Sequence, residues 1–143
     1  MKKVLFFIDT LEDGGVSKVL LDLLKYINKN KYEITVMSLY NLGGCIEKVK
    51  EYADYKYCFY IPSEDDKSLS TYIYKKFWST MLKIPEKFMY RYFIKEKYDV
   101  EVAFMHGWST KFIRHTKYFI KLAIYCPMMF YIFKHSIFSS PLC

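Results

Sequence analysis

The first forty residues alternate between apolar runs and polar turns in a pattern that fixes a βαβ unit. Lys3 to Ile8 is almost wholly apolar, with Val4, Leu5, Phe6, Phe7 and Ile8 in succession. A strand that is apolar on both faces belongs inside a parallel sheet covered by helices. A turn-rich stretch follows, from Asp9 to Gly15, and it ends in a Gly-Gly pair. Val16, Val19, Leu20, Leu23, Leu24 and Ile27 then recur at i, i+3, i+4, i+7, i+8 and i+11, the spacing of one helical face. Asn28 and Asn30 mark its end. Tyr32 to Leu39 reads as a second strand, with Ile34, Val36 and Leu39 apolar. Strand, turn, helix and strand in this order lay the two strands parallel.

The same rhythm continues less clearly. Gly43-Gly44 marks a loop, Cys45 to Tyr52 a short helix and Tyr55 to Ile61 a third strand. Ser63 to Ser68 is a charged loop. Ser70 to Tyr98 reads as two helices broken at Pro85, which suits the first residue of the second. Val100 to Met105 is a fourth buried strand, with a helix expected from an N-cap at Ser109. Leu122 to Cys126 is a candidate fifth strand. The expected fold class is α/β, a Rossmann-like parallel sheet with helices on both faces.

Composition narrows the class of protein. The chain has 143 residues, 52% hydrophobic and 26% charged, a mix that suits one domain and excludes a disordered chain. The formal net charge of +7 favours anionic partners: phosphorylated ligands, an anionic membrane face, or nucleic acid. Four cysteines contain no C-x-x-C pair and no zinc spacing, so neither a metal site nor a disulfide framework is expected; Cys58 and Cys126 read as buried thiols. The apolar run at the N-terminus is too short for a signal peptide, which points to the cytoplasm.

Ligands of open parallel sheets gather at the carboxyl ends of the strands. Two loops qualify, Asp9 to Gly15 and His106 to Thr110. Gly14 and Gly15 precede a helix N-terminus, where bare backbone admits an anion; the plainer reading is a tight turn that needs positive φ. The pair matches neither G-x-G-x-x-G nor a P-loop. His106 is suited to general-base work or to donating to a substrate oxygen, and equally to a surface or capping place. Trp108 can stack on a sugar or simply pack. Asp9 can orient a ligand hydroxyl or cap its own turn.

Tyr72 to Tyr98 mixes bases with aromatics. Its first reading is a pair of helices with an aromatic core face and a solvated basic face. Its second is an interfacial membrane contact, for which Lys75, Lys76, Trp78, Lys83 and Arg91 are the candidates. No RNA-module pattern accompanies the basic charge.

Lys2 to Ile27, KKVLFFIDTLEDGGVSKVLLDLLKYI, resembles the opening of family 4 glycosyltransferases with the GT-B fold. The shared plan is a buried strand, a loop ending in Gly-Gly, a small or apolar residue, a polar pair (here Ser17-Lys18) and an amphipathic helix. YEITVMSLY and YDVEVAFMHGWSTKFI fit the same plan, so the resemblance spans Lys2 to Ile113. It implies transfer of a sugar from a nucleotide-sugar donor to a polysaccharide or lipid-linked acceptor, with no metal or other cofactor. It places Gly14 and Gly15 against the donor phosphates or the acceptor, and His106 where some relatives carry a functional histidine.

The resemblance also implies a division of the chain. Residues 1–126 are expected to form the acceptor-side domain and residues 127–143 a divergent tail, with the donor-binding domain absent and the fragment inactive alone. Tyr118 to Phe133 is apolar but shorter than the ~20 residues a membrane span needs, and Lys121 and Pro127 interrupt it. The rival expectation is a non-catalytic Rossmann-like module docked on an anionic membrane, on the inner face, or on a partner protein. Nucleic-acid binding through the net charge is a third.

Overall fold

The computed structural model describes residues 1–61, 76, 80, 83–105 and 108–115. Four strands form one sheet: β1 (Lys2–Ile8), β2 (Tyr32–Tyr40), β3 (Asp54–Phe59) and β4 (Val100–Ala103). All pairings are parallel, and the order is β3-β2-β1-β4. The helices among the described residues are α1 (Gly15–Tyr26), α2 (Ile46–Lys50), α3 (Glu86–Phe93) and α4 (Trp108–Ile113). The fold is α/β and Rossmann-like, with helices on both faces of the sheet.

β1 is central because each of its faces has a core to enter. Val4, Phe6 and Ile8 join Leu20, Leu24, Ile34, Val36 and Val49 on the side of α1 and α2. Leu5 and Phe7 join Met37, Leu39, Met89, Phe112 and Ile113 on the side of α3 and α4. Leu5 to Ile8 are fully buried, and each such side chain contributes roughly 1.5–3 kcal/mol by leaving water. Phe7 stacks on Phe112 with ring centres 4.5 Å apart, while Phe6 meets Phe104 edge-on at 5.9 Å. The register sets Phe6 between Val36 and Val102 and Phe7 between Met37 and Ala103.

Several sequence expectations shift in detail. The buried face of α1 is turned toward Ser17, Leu20, Leu21 and Leu24, and Val16 is left exposed. Leu21 is apolar too, so the stripe is wide. Small Ser17 takes a sheet-side place that a strict apolar count assigns elsewhere. Ser109 lies inside the first turn of α4 rather than capping it, since the helix already starts at Trp108. Pro85 is the N-cap of α3, one residue before the place expected for it. β4 ends at Ala103 and carries a buried acid, Glu101, whose carboxylate accepts hydrogen bonds from the Tyr90 hydroxyl at 2.7 and 2.8 Å. The charged loop at 63–68, the helix before Pro85, the strand at 122–126 and the tail at 127–143 lie outside the described residues.

Ion pairs tie the other end of the sheet. Glu96 receives Lys56 at 2.6 Å and Lys3 at 3.9 Å, and Lys3 also meets Glu33 at 3.4 Å. Among the described residues no helix is long and apolar enough to cross a membrane.

Candidate functional site

The chain leaves β1 toward β2 and β3 on one side and returns to place β4 on the other. Beyond the carboxyl ends of β1 and β4 the connections diverge. The segment after β1 enters α1 over one face; the segment after β4 enters α4 over the opposite face. That divergence is a topological switch point, the kind of place at which open parallel sheets generally take up ligands.

Asp9 stands at this point. Its Oδ1 accepts the backbone N–H of Ser109 at 3.2 Å and the Ser109 hydroxyl as well. Ser109 is fully buried, so both donors need this partner. The sequence offered Asp9 a cap on its own turn; instead it caps the first turn of α4 from across the switch point. Its carbonyl accepts the Tyr40 N–H at 3.1 Å. Burial, and then the Asp9 charge, push the Tyr40 phenol above its ordinary value.

The loop from Asp9 to Gly14 is strapped to the loop after β2. Leu11 donates to the Leu42 carbonyl at 2.9 Å and accepts from the Cys45 N–H at 3.1 Å. Gly43 makes this approach possible. It has φ +126°, and a Cβ there would overlap the Leu11 carbonyl. The Cys45 thiol donates to Asp13 at 3.3 Å; burial, followed by this carboxylate, raises its pKa. Half-buried Cys58 is pushed up to about 12 by burial alone.

Gly14 and Gly15 correct the plainer reading of their sequence. Neither has positive φ: Gly14 is extended at φ −136°, ψ 175°, and Gly43 alone among the described glycines is left-handed. A Cβ on Gly15 would meet nothing within 4 Å. The turn therefore does not require glycine there. Both residues are exposed, and no side chain caps the first turn of α1, which contains no acid. Amides of a first turn that lack a side-chain cap carry the positive end of the helix dipole and attract anions. Lys18 is exposed on the same helix.

A scan against models of known protein families matches none to this chain, and a search among curated proteins finds no match.

The structure brings Asp9, Gly14, Gly15 and Trp108 to one end of the sheet. Trp108 is half-buried and stacks on Phe112 at 5.1 Å, so at least one of its faces serves packing. His106 lies outside the described residues, as do Lys75 and Trp78. Lys76, Lys83 and Arg91 are exposed; Arg91 lies on α3 and Lys83 shortly before it. Among the described residues no three His, Cys, Asp or Glu side chains group as a metal site. A shallow depression of about 480 Å³, lined by Lys2, Lys31, Tyr32 and Asp99, sits at the amino ends of the strands, opposite the switch point.

Sequence reading missed a part-buried polar chain near the carboxyl end of β2. Ser38 Oγ lies 2.7 Å from the Tyr55 hydroxyl, which lies 3.3 Å from Asn41 Oδ1. The signal was there in the polar Ser38 at an otherwise inward position of β2. Gly43 was also legible as the glycine after a strand, but only its contact with Leu11 shows why it must be glycine.

Proposed function

We propose that this chain forms the acceptor-side wall of a nucleotide-sugar-dependent glycosyltransferase. The observation that carries the reading is the exposed first turn of α1, without a side-chain cap. It is entered through two glycines that the backbone does not demand and lies beside the switch point of a parallel sheet. The likeness of Lys2 to Ile113 to the family 4 opening supports it.

The chemistry follows from charge. The bond between the sugar and its phosphate breaks as an acceptor hydroxyl attacks the anomeric carbon, and negative charge gathers on the departing diphosphate. The amides of Gly15, Val16 and Ser17 would meet that charge with fixed dipoles, and Lys18 with a mobile cation. Asp13, which precedes the two glycines, accepts a hydrogen bond from the Cys45 thiol. Asp9, holding α4 against β1, keeps the two sides of the switch point in register. His106 is the sequence's candidate for the base that takes the acceptor proton. The described residues form one sheet and so one wall; the donor's sugar and base would be held by a second.

The test is equilibrium binding of a nucleoside diphosphate sugar, comparing the natural chain with Gly15→Leu. The variant has room to fold, because nothing lies within 4 Å of the added Cβ. Tenfold or greater weakening with unchanged thermal stability supports the reading. Equal binding by both proteins, or no binding by the natural chain, refutes it.

A further inference from the structure

Helix α3 has two faces of different chemistry. Met89 is buried, and Tyr90 and Phe93 pack with it against the second core. On the outward side Phe88 and Tyr92, four residues apart, are 64% and 66% exposed. Beside this aromatic row runs a basic one, Lys87 and Arg91, also four apart and exposed. Lys95 extends it, its ammonium 5.8 Å from the centre of the Tyr92 ring. Residues 83–97 contain five bases and two acids. Of the acids, Glu96 is already paired with Lys56.

Single exposed aromatics are ordinary on a protein surface, but two on successive turns of one helix form a patch. A basic row beside it defines what such a patch suits. We propose that this face of α3 docks on the surface of an anionic phospholipid bilayer. Phe88 and Tyr92 enter the boundary between headgroups and acyl chains, while Lys87, Arg91 and Lys95 meet lipid phosphates. Charge complementarity favours an anionic surface. The convex helical presentation favours a planar one over single-stranded nucleic acid, whose bases are usually taken up on sheets or in grooves. The inference stands apart from the glycosyltransferase reading, since it uses neither the switch point nor the α1 turn.

Flotation of the full chain with vesicles tests it, using phosphatidylglycerol mixed into phosphatidylcholine against phosphatidylcholine alone, at low salt. The chain is expected to float with the anionic vesicles only. Lys87→Gln with Arg91→Gln should weaken retention on the order of 20-fold, and Phe88→Ser with Tyr92→Ser should abolish it. Circular dichroism of these variants should match the natural chain, since all four positions are exposed. As a second readout, Phe88→Trp should show blue-shifted emission and protection from an aqueous quencher on anionic vesicles. Three results would overturn the proposal: no retention on anionic vesicles, retention unchanged by the serine pair, or emission of the Phe88→Trp variant unmoved in the bound state. Displacement of the chain from vesicles by RNA, with the same loss of RNA affinity in the serine pair, would also overturn it and assign the face to nucleic acid.

Discussion

The Asp9 carboxylate, just past the end of β1, accepts two hydrogen bonds from Ser109, one hundred residues further along the chain. This pair joins the two sides of the switch point. It satisfies two buried donors and fixes where α4 starts relative to β1. Replacing Asp9 with Ala strands both donors and should cost about 2–3 kcal/mol. Ser109→Ala leaves the amide bond to Asp9 in place and should cost about 1 kcal/mol. In a double-mutant cycle by urea denaturation the two losses should fall short of additivity by about 1 kcal/mol. Additive losses would mean that the two residues do not act together.

The five glycines should not behave alike. Gly15→Ala adds a Cβ in open space at the start of a helix, so it should stabilise the chain by about 0.5 kcal/mol. Gly43→Ala forces a left-handed residue and an overlap with Leu11, and should cost more than about 2 kcal/mol. Thermal denaturation of the two variants checks the contrast. A stabilising Gly15→Ala would indicate that glycine is kept there for something other than the fold.

Phe112 is a hub on the α3 and α4 side. It stacks on Phe7 at 4.5 Å and on Trp108 at 5.1 Å, and its ring centre lies 5.6 Å from that of Tyr90. Phe112→Ala should cost about 3–5 kcal/mol. Near-ultraviolet dichroism should lose intensity with it, because Phe7, Tyr90 and Trp108 lose their shared packing partner.

The ion pair of Glu96 and Lys56 gives a pH dependence of known sign. The hydrogen bond from Lys56, then its charge, holds the Glu96 carboxyl below its ordinary value. Its contribution is therefore present above the unfolded carboxyl pKa and is lost as pH falls through the lower folded value. Lys56 is raised to about 12, chiefly by the same hydrogen bond, so its part is present below the unfolded lysine value and lost as pH rises through about 12. Both side chains are partly exposed, so Glu96→Gln should cost only about 0.5 kcal/mol at neutral pH. Its stability should also fall less steeply than the natural chain's as acid is added.

Much of the fold was legible because it is written in local pattern. Val4 to Ile8 reads as a doubly covered strand, and the repeat from Val16 to Ile27 as a helix. The order of strands was not legible in the same way. That β4 lies beside β1 depends on Phe7 finding Ala103 across the chain, a pairing no local window contains. The candidate site divides along the same line. Gly14, Gly15, Asp9 and Trp108 were singled out because they follow strands. Asp9's true partner, the overlap that demands Gly43, and the outward face of Phe88 and Tyr92 depend on contacts between distant segments. The turn of α1 toward Ser17 has a related cause: a wide apolar stripe leaves its central line to be set by the sheet beneath.

The proposed function requires an anionic sugar nucleotide to meet the first turn of α1 at the switch point. It is tested most directly by following backbone amide resonances of the 15N-labelled chain during titration with a nucleoside diphosphate sugar. Saturable shifts are expected at Gly14, Gly15, Val16 and Ser17, with smaller ones at Asp9 and Ser109. Shifts confined to Lys2, Lys31 and Asp99 at the opposite end of the sheet, or none at all, would contradict it.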